Sequence, residues 1–181
     1  VYADMLPGYK FQAVYGVPGH EMRIETTTLF YNNEDRGSTF PSYTKAQASH
    51  NTVMLDSWLS VGAGCNGYYG ILKADDNGTS TVVNADGALQ NADTAAGIPL
   101  TTQDGLIAGT PESVTLVGIT ASEFDAQNDG TNGPVFSSVN GSWASLNGST
   151  GPTVDNRVLI AQITTNGAFS FKLNIQIGTP S

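Results

Sequence analysis

The clearest alternation of apolar and polar positions occupies residues 168–177. Its apolar members are each separated by one polar residue, and they are Phe169, Phe171, Leu173, Ile175 and Ile177. A period of two is typical of a β-strand with one apolar face and one solvated face. The pattern therefore predicts a strand whose apolar face packs on a core.

A second apolar run, Val158–Ile163, precedes this strand and is apolar on both faces, as in a central strand. Asn166-Gly167 lies between the two runs. Asn-Gly favours a two-residue hairpin turn because both residues tolerate positive φ. We therefore predict that residues 157–178 form an antiparallel hairpin that closes the fold.

Shorter strand-like runs recur upstream, separated by turn residues such as Pro18-Gly19. They are Phe11–Val17, Met22–Tyr31, Val53–Val61, Tyr68–Lys73, Thr79–Val83 and Ser113–Ile119. Many short strands without an amphipathic helix predict an all-β fold, a two-sheet antiparallel β-sandwich of jelly-roll type. Residues 84–110 are irregular, and residues 124–151 are expected to be a loop around Trp143.

The length of 181 residues fits one domain. At its start, "VYADML" alternates and is followed by Pro7-Gly8. We predict an N-terminal arm over residues 1–8 and a sandwich domain over residues 9–181. The strongest strands supply the expected core residues, which are Trp58, Leu159, Ile163, Phe169, Phe171 and Leu173.

Composition narrows the class of protein. Charged residues make up 13% of the chain, the net charge is −9, and the pI is near 4.3. The seven Lys and Arg residues are scattered, so no basic stripe is available to neutralise nucleic-acid phosphates or an anionic membrane. No apolar run approaches the roughly 20 residues of a membrane span. Binding to nucleic acid and insertion into a membrane are therefore not expected.

Several features favour an extracellular location. The chain starts at Val1 and not at Met, as expected after removal of a signal peptide. Three N-glycosylation sequons lie in turn-like contexts, at Asn77, Asn140 and Asn147. Cys65 is the only cysteine, and we expect a buried thiol, with an intermolecular link as the alternative. We predict a secreted glycoprotein.

No catalytic pattern is present. "HEMRI" has Ile24 where the second histidine of a metalloprotease helix would stand, and no G-x-S-x-G motif occurs. We therefore expect no enzyme activity and no cofactor, with one alternative left open. Asp125, Gln127 and Asp129 precede Gly130 at the spacing that begins a calcium loop, although Phe136 stands where the bidentate acid belongs. The other reading of this segment is a solvated acidic turn.

Aromatic side chains suggest a second binding hypothesis. Trp143 together with Tyr68 and Tyr69 could form a platform for sugar rings, as in carbohydrate-binding β-sandwiches. Burial in the core is the competing reading for aromatic residues on strands.

The chain resembles a secreted β-domain of uncharacterised extracellular proteins. The resemblance rests on "LDSWLSVG", on the distant "RVLIAQITTNG" and "FSFKLNIQIG", and on the N-terminal "VYADMLPGYKFQAVYG" and "IETTTLFYN". It covers most of the chain and carries over no catalytic residue. It implies an extracellular β-domain of the kind that builds fibres.

These patterns lead to two functional hypotheses. The first is a structural subunit of an extracellular filament, a homopolymer assembled head-to-tail by β-strand addition. The arm would pair with the next subunit, with the C-terminal hairpin among the receiving elements, and its assembly residues would be Val1, Ala3, Met5 and Leu6. The alternative is a secreted module that binds glycans or adheres to surfaces. A first strand packed within its own chain is the competing reading of the arm.

Overall fold

The computed structural model describes residues 1–33, 37–40, 55–62, 112–120, 123–124 and 133–180. This part of the chain contains no α-helix, and every pairing between its strands is antiparallel. The predicted all-β, sandwich-like class is confirmed. The strands are β1 (Tyr2–Asp4), β2 (Lys10–Tyr15), β3 (Met22–Thr26), β4 (Trp58–Leu59), β5 (Thr115–Val117), β6 (Val135–Ser138), β7 (Ser142–Ser149), β8 (Arg157–Leu159), β9 (Ala161–Gln162), β10 (Phe169–Lys172) and β11 (Asn174–Gly178).

The first layer is bent and is built from three chain segments, each of two consecutive strands. These segments are β2–β3, β6–β7 and β10–β11, and β2–β3 lies in the middle. The strand orders are β10-β3-β6 and β11-β2-β7-β5, so consecutive strands of each segment keep the same neighbours in both sheets. The middle segment turns between the two sheets at Val17–His20, where Val17 and His20 form an isolated bridge and Gly19 has a φ of 85°. Asn174 connects the two sides of this turn. Its Nδ2 donates to the carbonyl of Tyr15 before the turn (2.9 Å) and to the carbonyl of His20 at its end (2.8 Å).

A second layer contains β8 and β9, with β1 on one side and β4 on the other. Trp143 of β7 connects the layers, since its Nε1 donates to the carbonyls of Ser60 (3.2 Å) and Ile160 (3.1 Å). The core between the layers contains side chains from both, including Phe11, Val14, Met22, Ile24, Phe136 and Trp143 from the first and Ala3, Met5, Leu59, Val61, Val158 and Ile160 from the second.

Four aromatic rings form a continuous row of contacts through this core. Phe30 contacts Phe124 edge-on at a centroid distance of 5.5 Å, and Phe124 contacts Phe136 at 5.4 Å. Phe136 in turn lies 6.2 Å from Trp143. Aromatic pairs at these distances add to the free energy gained by burying their area.

The predicted closing hairpin is wrong. The run before Asn166-Gly167 pairs with β1 and β4, whereas the run after it pairs with β3 and β2. Gly167 does not adopt a positive φ. A Cβ there would instead lie 2.6–2.7 Å from the hydroxyl oxygens of Thr26, Thr27 and Thr28, so any larger residue would force these threonine side chains to move.

The expectation of a loop over residues 124–151 is also wrong in its described part. Residues 135–149 contain β6 and the longest strand, β7. Serine, asparagine and glycine dominate this stretch and have low β propensity, but pairing with β2 and β3 and burial of Trp143 override it. The predicted strands Tyr68–Lys73 and Thr79–Val83, and the irregular stretch 84–110, lie outside the described residues.

The core prediction is confirmed for Trp58 and Leu159, which are buried. Ile163 and Leu173 are half-buried against the core. It is wrong for Phe169 and Phe171, which are 38% and 52% exposed. Their strand lies at the edge of its sheet, and among the described strands it contacts mainly its neighbour β3.

Candidate functional site

The N-terminal arm lies in its own chain. Tyr2, Ala3 and Asp4 of β1 stand opposite Leu159, Val158 and Arg157 of β8. The Val1 amine donates to the carbonyl of Ala161 at 2.8 Å, and desolvation by burial lowers its pKa. In return, the Val1 carbonyl accepts from the Ile160 N–H at 3.0 Å. This pairing matches the competing reading of the arm as a first strand within its own chain.

The predicted assembly residues of the arm divide into two groups. Ala3 and Met5 are buried in the core and Val1 packs against it, whereas Leu6 is 70% exposed. The Asp4 carboxylate lies 3.6 Å from the Arg157 guanidinium at the surface. An exposed ion pair of this kind contributes little to stability. The arm is therefore bound mainly by its main-chain hydrogen bonds and by two buried side chains.

Asn156 fixes the C-terminal end of the arm, a role that no pattern in the sequence indicates. Its Nδ2 donates to the carbonyls of Leu6 (2.8 Å) and Tyr9 (2.9 Å), and its Oδ1 accepts from the Gly151 N–H (2.9 Å). Asn156 has a φ of 49°, a left-handed conformation that asparagine tolerates better than most residues. The side chain therefore holds both ends of the exposed turn that connects β1 to β2.

The C-terminal strand pair β10–β11 forms the edge of both sheets of the first layer. Phe169, Phe171, Ile175 and Ile177 stand opposite Thr26, Ile24, Val14 and Phe11, all of which are buried. The edge side chains thus lie on the core side of the layer, yet they are 37–52% exposed. The rings of Phe169 and Phe171 contact each other at 5.6 Å. We call this surface the apolar edge.

The proposed sugar platform is not formed by Trp143. This side chain is fully buried and its N–H is bonded inside the core, so neither ring face is available to a ligand. Tyr68 and Tyr69 lie outside the described residues. An open groove of about 590 Å³ occurs elsewhere, and it is lined by Thr28, Leu29, Phe30, Tyr31, Asn32, Thr164, Thr165 and Asn166.

Two of the three predicted glycosylation sites are described, and both are exposed. Asn140 lies in the turn between β6 and β7, and Asn147 lies in an irregular part of β7 beside Gly148, whose φ is 70°. The Ser149 hydroxyl of the second sequon is buried and donates to the carbonyl of Val61. Asn77 lies outside the described residues.

The calcium hypothesis concerns residues that are not described, since Asp125, Gln127 and Asp129 all lie outside the described ranges, as does Cys65. Elsewhere, the described residues contain no cluster of three or more His, Cys, Asp or Glu side chains that could hold a metal ion.

Asp56, within the "LDSWLSVG" motif, is a buried carboxyl group. Its Oδ1 accepts the Asn33 N–H at 2.6 Å, and its Oδ2 has no hydrogen-bond partner among the described residues. Burial raises the pKa of Asp56 to about 7, although the hydrogen bond from Asn33 acts in the opposite direction. This carboxyl can hold a proton near neutral pH. Among the described residues, the Asn33 N–H is the one hydrogen-bond donor to this carboxyl group.

Nothing in the described part of the chain forms a helix with the length and apolar character needed to cross a membrane. Comparison with family models, with curated proteins and with solved structures gave no match in any of the three cases.

Proposed function

We propose that the chain is a structural subunit of a secreted, extracellular filament that assembles head-to-tail by β-strand addition. In this assembly, residues 1–6 of one subunit leave their own domain and pair with β8 of the next. The observation that carries the proposal is the pairing of β1, which among the described strands forms a ladder with β8 alone.

The contacts of the arm support exchange because they can form equally well within or between chains. The β1–β8 ladder, the Val1 hydrogen bonds and the burial of Ala3 and Met5 would be the same in both arrangements. Exchange of an identical element is a low-cost route to association, and a head-to-tail contact that does not close into a ring extends as a helical polymer.

The connection to β2 supports the proposal as well. Residues 6–8 are exposed, and Gly8 has a φ of 86°. Among the described contacts, withdrawal of the arm breaks a three-residue ladder, the hydrogen bonds of Val1 and the bond from Asn156 to Leu6, and it exposes the buried Ala3 and Met5. The exposed Asn140 and Asn147 would carry glycans on the outside of such a filament.

A disulfide across the arm tests the exchange. Asp4 and Arg157 are exposed register partners, so Asp4→Cys with Arg157→Cys, in a Cys65→Ala background, places one thiol on each side of the ladder. Oxidation of dilute monomer should lock the arm in its own chain and prevent filaments in negative-stain images, and reduction should restore them. The matched control, Asp4→Ser with Arg157→Ser, should assemble under both conditions.

Oxidation after assembly gives the complementary result. Exchanged arms should then produce a ladder of covalent multimers on denaturing gels without reductant. Filaments that yield only covalent monomers, or filaments that form from the locked monomer, would disprove arm exchange.

A second candidate function, a secreted glycan-binding module, is favoured by the groove at residues 28–32 and 164–166. Hydroxyl and amide side chains line the groove together with Tyr31 and the exposed Leu29, a combination that suits sugar rings. Tyr31→Ala should weaken binding in a glycan-array screen, whereas Tyr15→Ala, which does not line the groove, should leave it unchanged. Absence of any glycan signal for the unmodified protein would remove this candidate.

A further inference from the structure

We infer that the apolar edge is a second assembly surface and that its partner is the same edge of a second copy, paired antiparallel about a two-fold axis at Leu173. This contact is distinct from arm exchange and does not depend on it. It would join two chains side by side.

The main chain of the edge is available for pairing. The Thr26 N–H donates to the Pro134 carbonyl, away from β10, so the pair Phe169–Thr26 leaves the polar main-chain groups of Phe169 facing outward. The direction of the main-chain groups alternates along a strand, so those of Phe171 also face outward. No strand in the described part of the chain pairs with this outer side.

The same reasoning applies to β11. The Gly16 N–H donates to the Gly141 carbonyl, on the side of β7. Val14 therefore also directs its main-chain groups toward β7, and its partner Ile175 directs its own outward. Outward main-chain groups and apolar side chains thus occur at the same residues of the edge.

The sequence of the edge is self-complementary about Leu173. An antiparallel pair centred there places Phe171 opposite Ile175 of the second copy, and Phe169 opposite Ile177, each twice by symmetry. Aromatic and β-branched residues are a favourable cross-strand combination. Burial of these four exposed side chains on both copies would supply the driving force.

The placement of charge along the edge is also compatible with the register centred on Leu173. Lys172 is the only charged residue between Phe169 and Gly178, and the two-fold pairing places it opposite Asn174 rather than opposite a second lysine. Like charges directly opposite one another would oppose pairing. In a chain with a net charge of −9, this edge is also free of the acidic side chains that would repel a second copy.

The edge has little of the protection that keeps monomers apart. Proteins usually guard exposed edges with several lysines, with proline or with a bulge in the edge strand. Here the register shift beside Gln176 and Ile177 places the extra residue, Gln12, on the inner partner β2. The edge strand itself keeps its regular alternation.

Sedimentation equilibrium of the arm-locked protein isolates this contact, because head-to-tail exchange is blocked in it. We expect a reversible dimer, and Phe171→Lys should weaken its association at least about tenfold. Leu146→Lys is the matched control, since Leu146 is 80% exposed on β7 and lies outside the edge. A locked protein that stays monomeric at high concentration, or equal effects of the two substitutions, would overturn the proposal.

Cysteine pairs test the register. In a Cys65→Ala background, Ser170→Cys together with Gln176→Cys should give covalent dimers on mild oxidation, because residues 170 and 176 stand opposite each other in the two-fold pair. Ser170→Cys alone should not. Covalent dimers from the single variant, or none from the double variant, would contradict the axis at Leu173.

Discussion

The N-terminal arm and the C-terminal edge strand carry the same alternating pattern but have opposite fates. The arm presents the small Ala3 and the flexible Met5, and both are buried. The edge strand presents Phe169 and Phe171, which are much larger, and both are exposed. Alternation predicts that a strand has an apolar face. Whether that face is covered depends on the element that packs over it, which is set elsewhere in the chain.

The largest expected difference in stability is between alanine substitutions of two phenylalanines, one in the core and one at the apolar edge. Phe11→Ala should lower the free energy of unfolding by about 3–5 kcal/mol, because Phe11 is fully buried in the core. Phe171→Ala should cost less than about 1 kcal/mol at dilutions where the protein is monomeric, because half of that side chain is already in water. Urea denaturation of both variants measures the difference. Similar losses would mean that the edge strand is covered in solution.

The second expected effect is a pH dependence of stability that arises from Asp56, which is buried, unlike the apolar edge. The pKa of Asp56 is about 7 in the folded chain against 3.8 unfolded, so between about pH 4 and 7 the folded state holds a proton that the unfolded state has released. Stability should therefore fall as pH rises through this window, by up to about 4 kcal/mol, and level off above it.

Asp56→Asn tests this dependence, since its amide oxygen can still accept the Asn33 N–H while the charge is removed. Thermal unfolding between pH 4 and pH 8 should lose most of its slope in this variant. Asp155→Asn, which alters an exposed loop carboxylate, is the control and should keep the slope. A wild-type midpoint that is independent of pH would contradict the assignment.

The smallest effect compares neighbouring residues of the arm. Met5→Ala should destabilise the monomer by about 2–4 kcal/mol, because it opens a cavity in the core. Leu6→Ala should change stability by less than about 0.5 kcal/mol, since Leu6 is exposed beyond the end of β1. Calorimetry on dilute protein checks both values. Equal effects would show that the arm is not docked in its own domain.

The sequence predicted strands well where apolar residues alternated strongly, as in β2, β3 and β10–β11. It failed at β7, where serine, asparagine and glycine conceal a strand that is held by its partners and by the burial of Trp143. The sugar-platform hypothesis fails for the same reason, because it requires an exposed Trp143 and the pairing of β7 buries this side chain. Asn156 was missed because its role depends on the carbonyls of two residues far away in sequence.

The all-β class follows from local sequence alone, since β-branched and aromatic residues at a period of two between turn residues are a local property. The tertiary structure selects which strands pair, because the Asn166-Gly167 turn is compatible both with a hairpin and with the crossover that occurs. It also decided that the strand of Phe169 and Phe171 lies at an edge. Pairing and coverage depend on contacts between residues more than a hundred positions apart, and no local pattern encodes them.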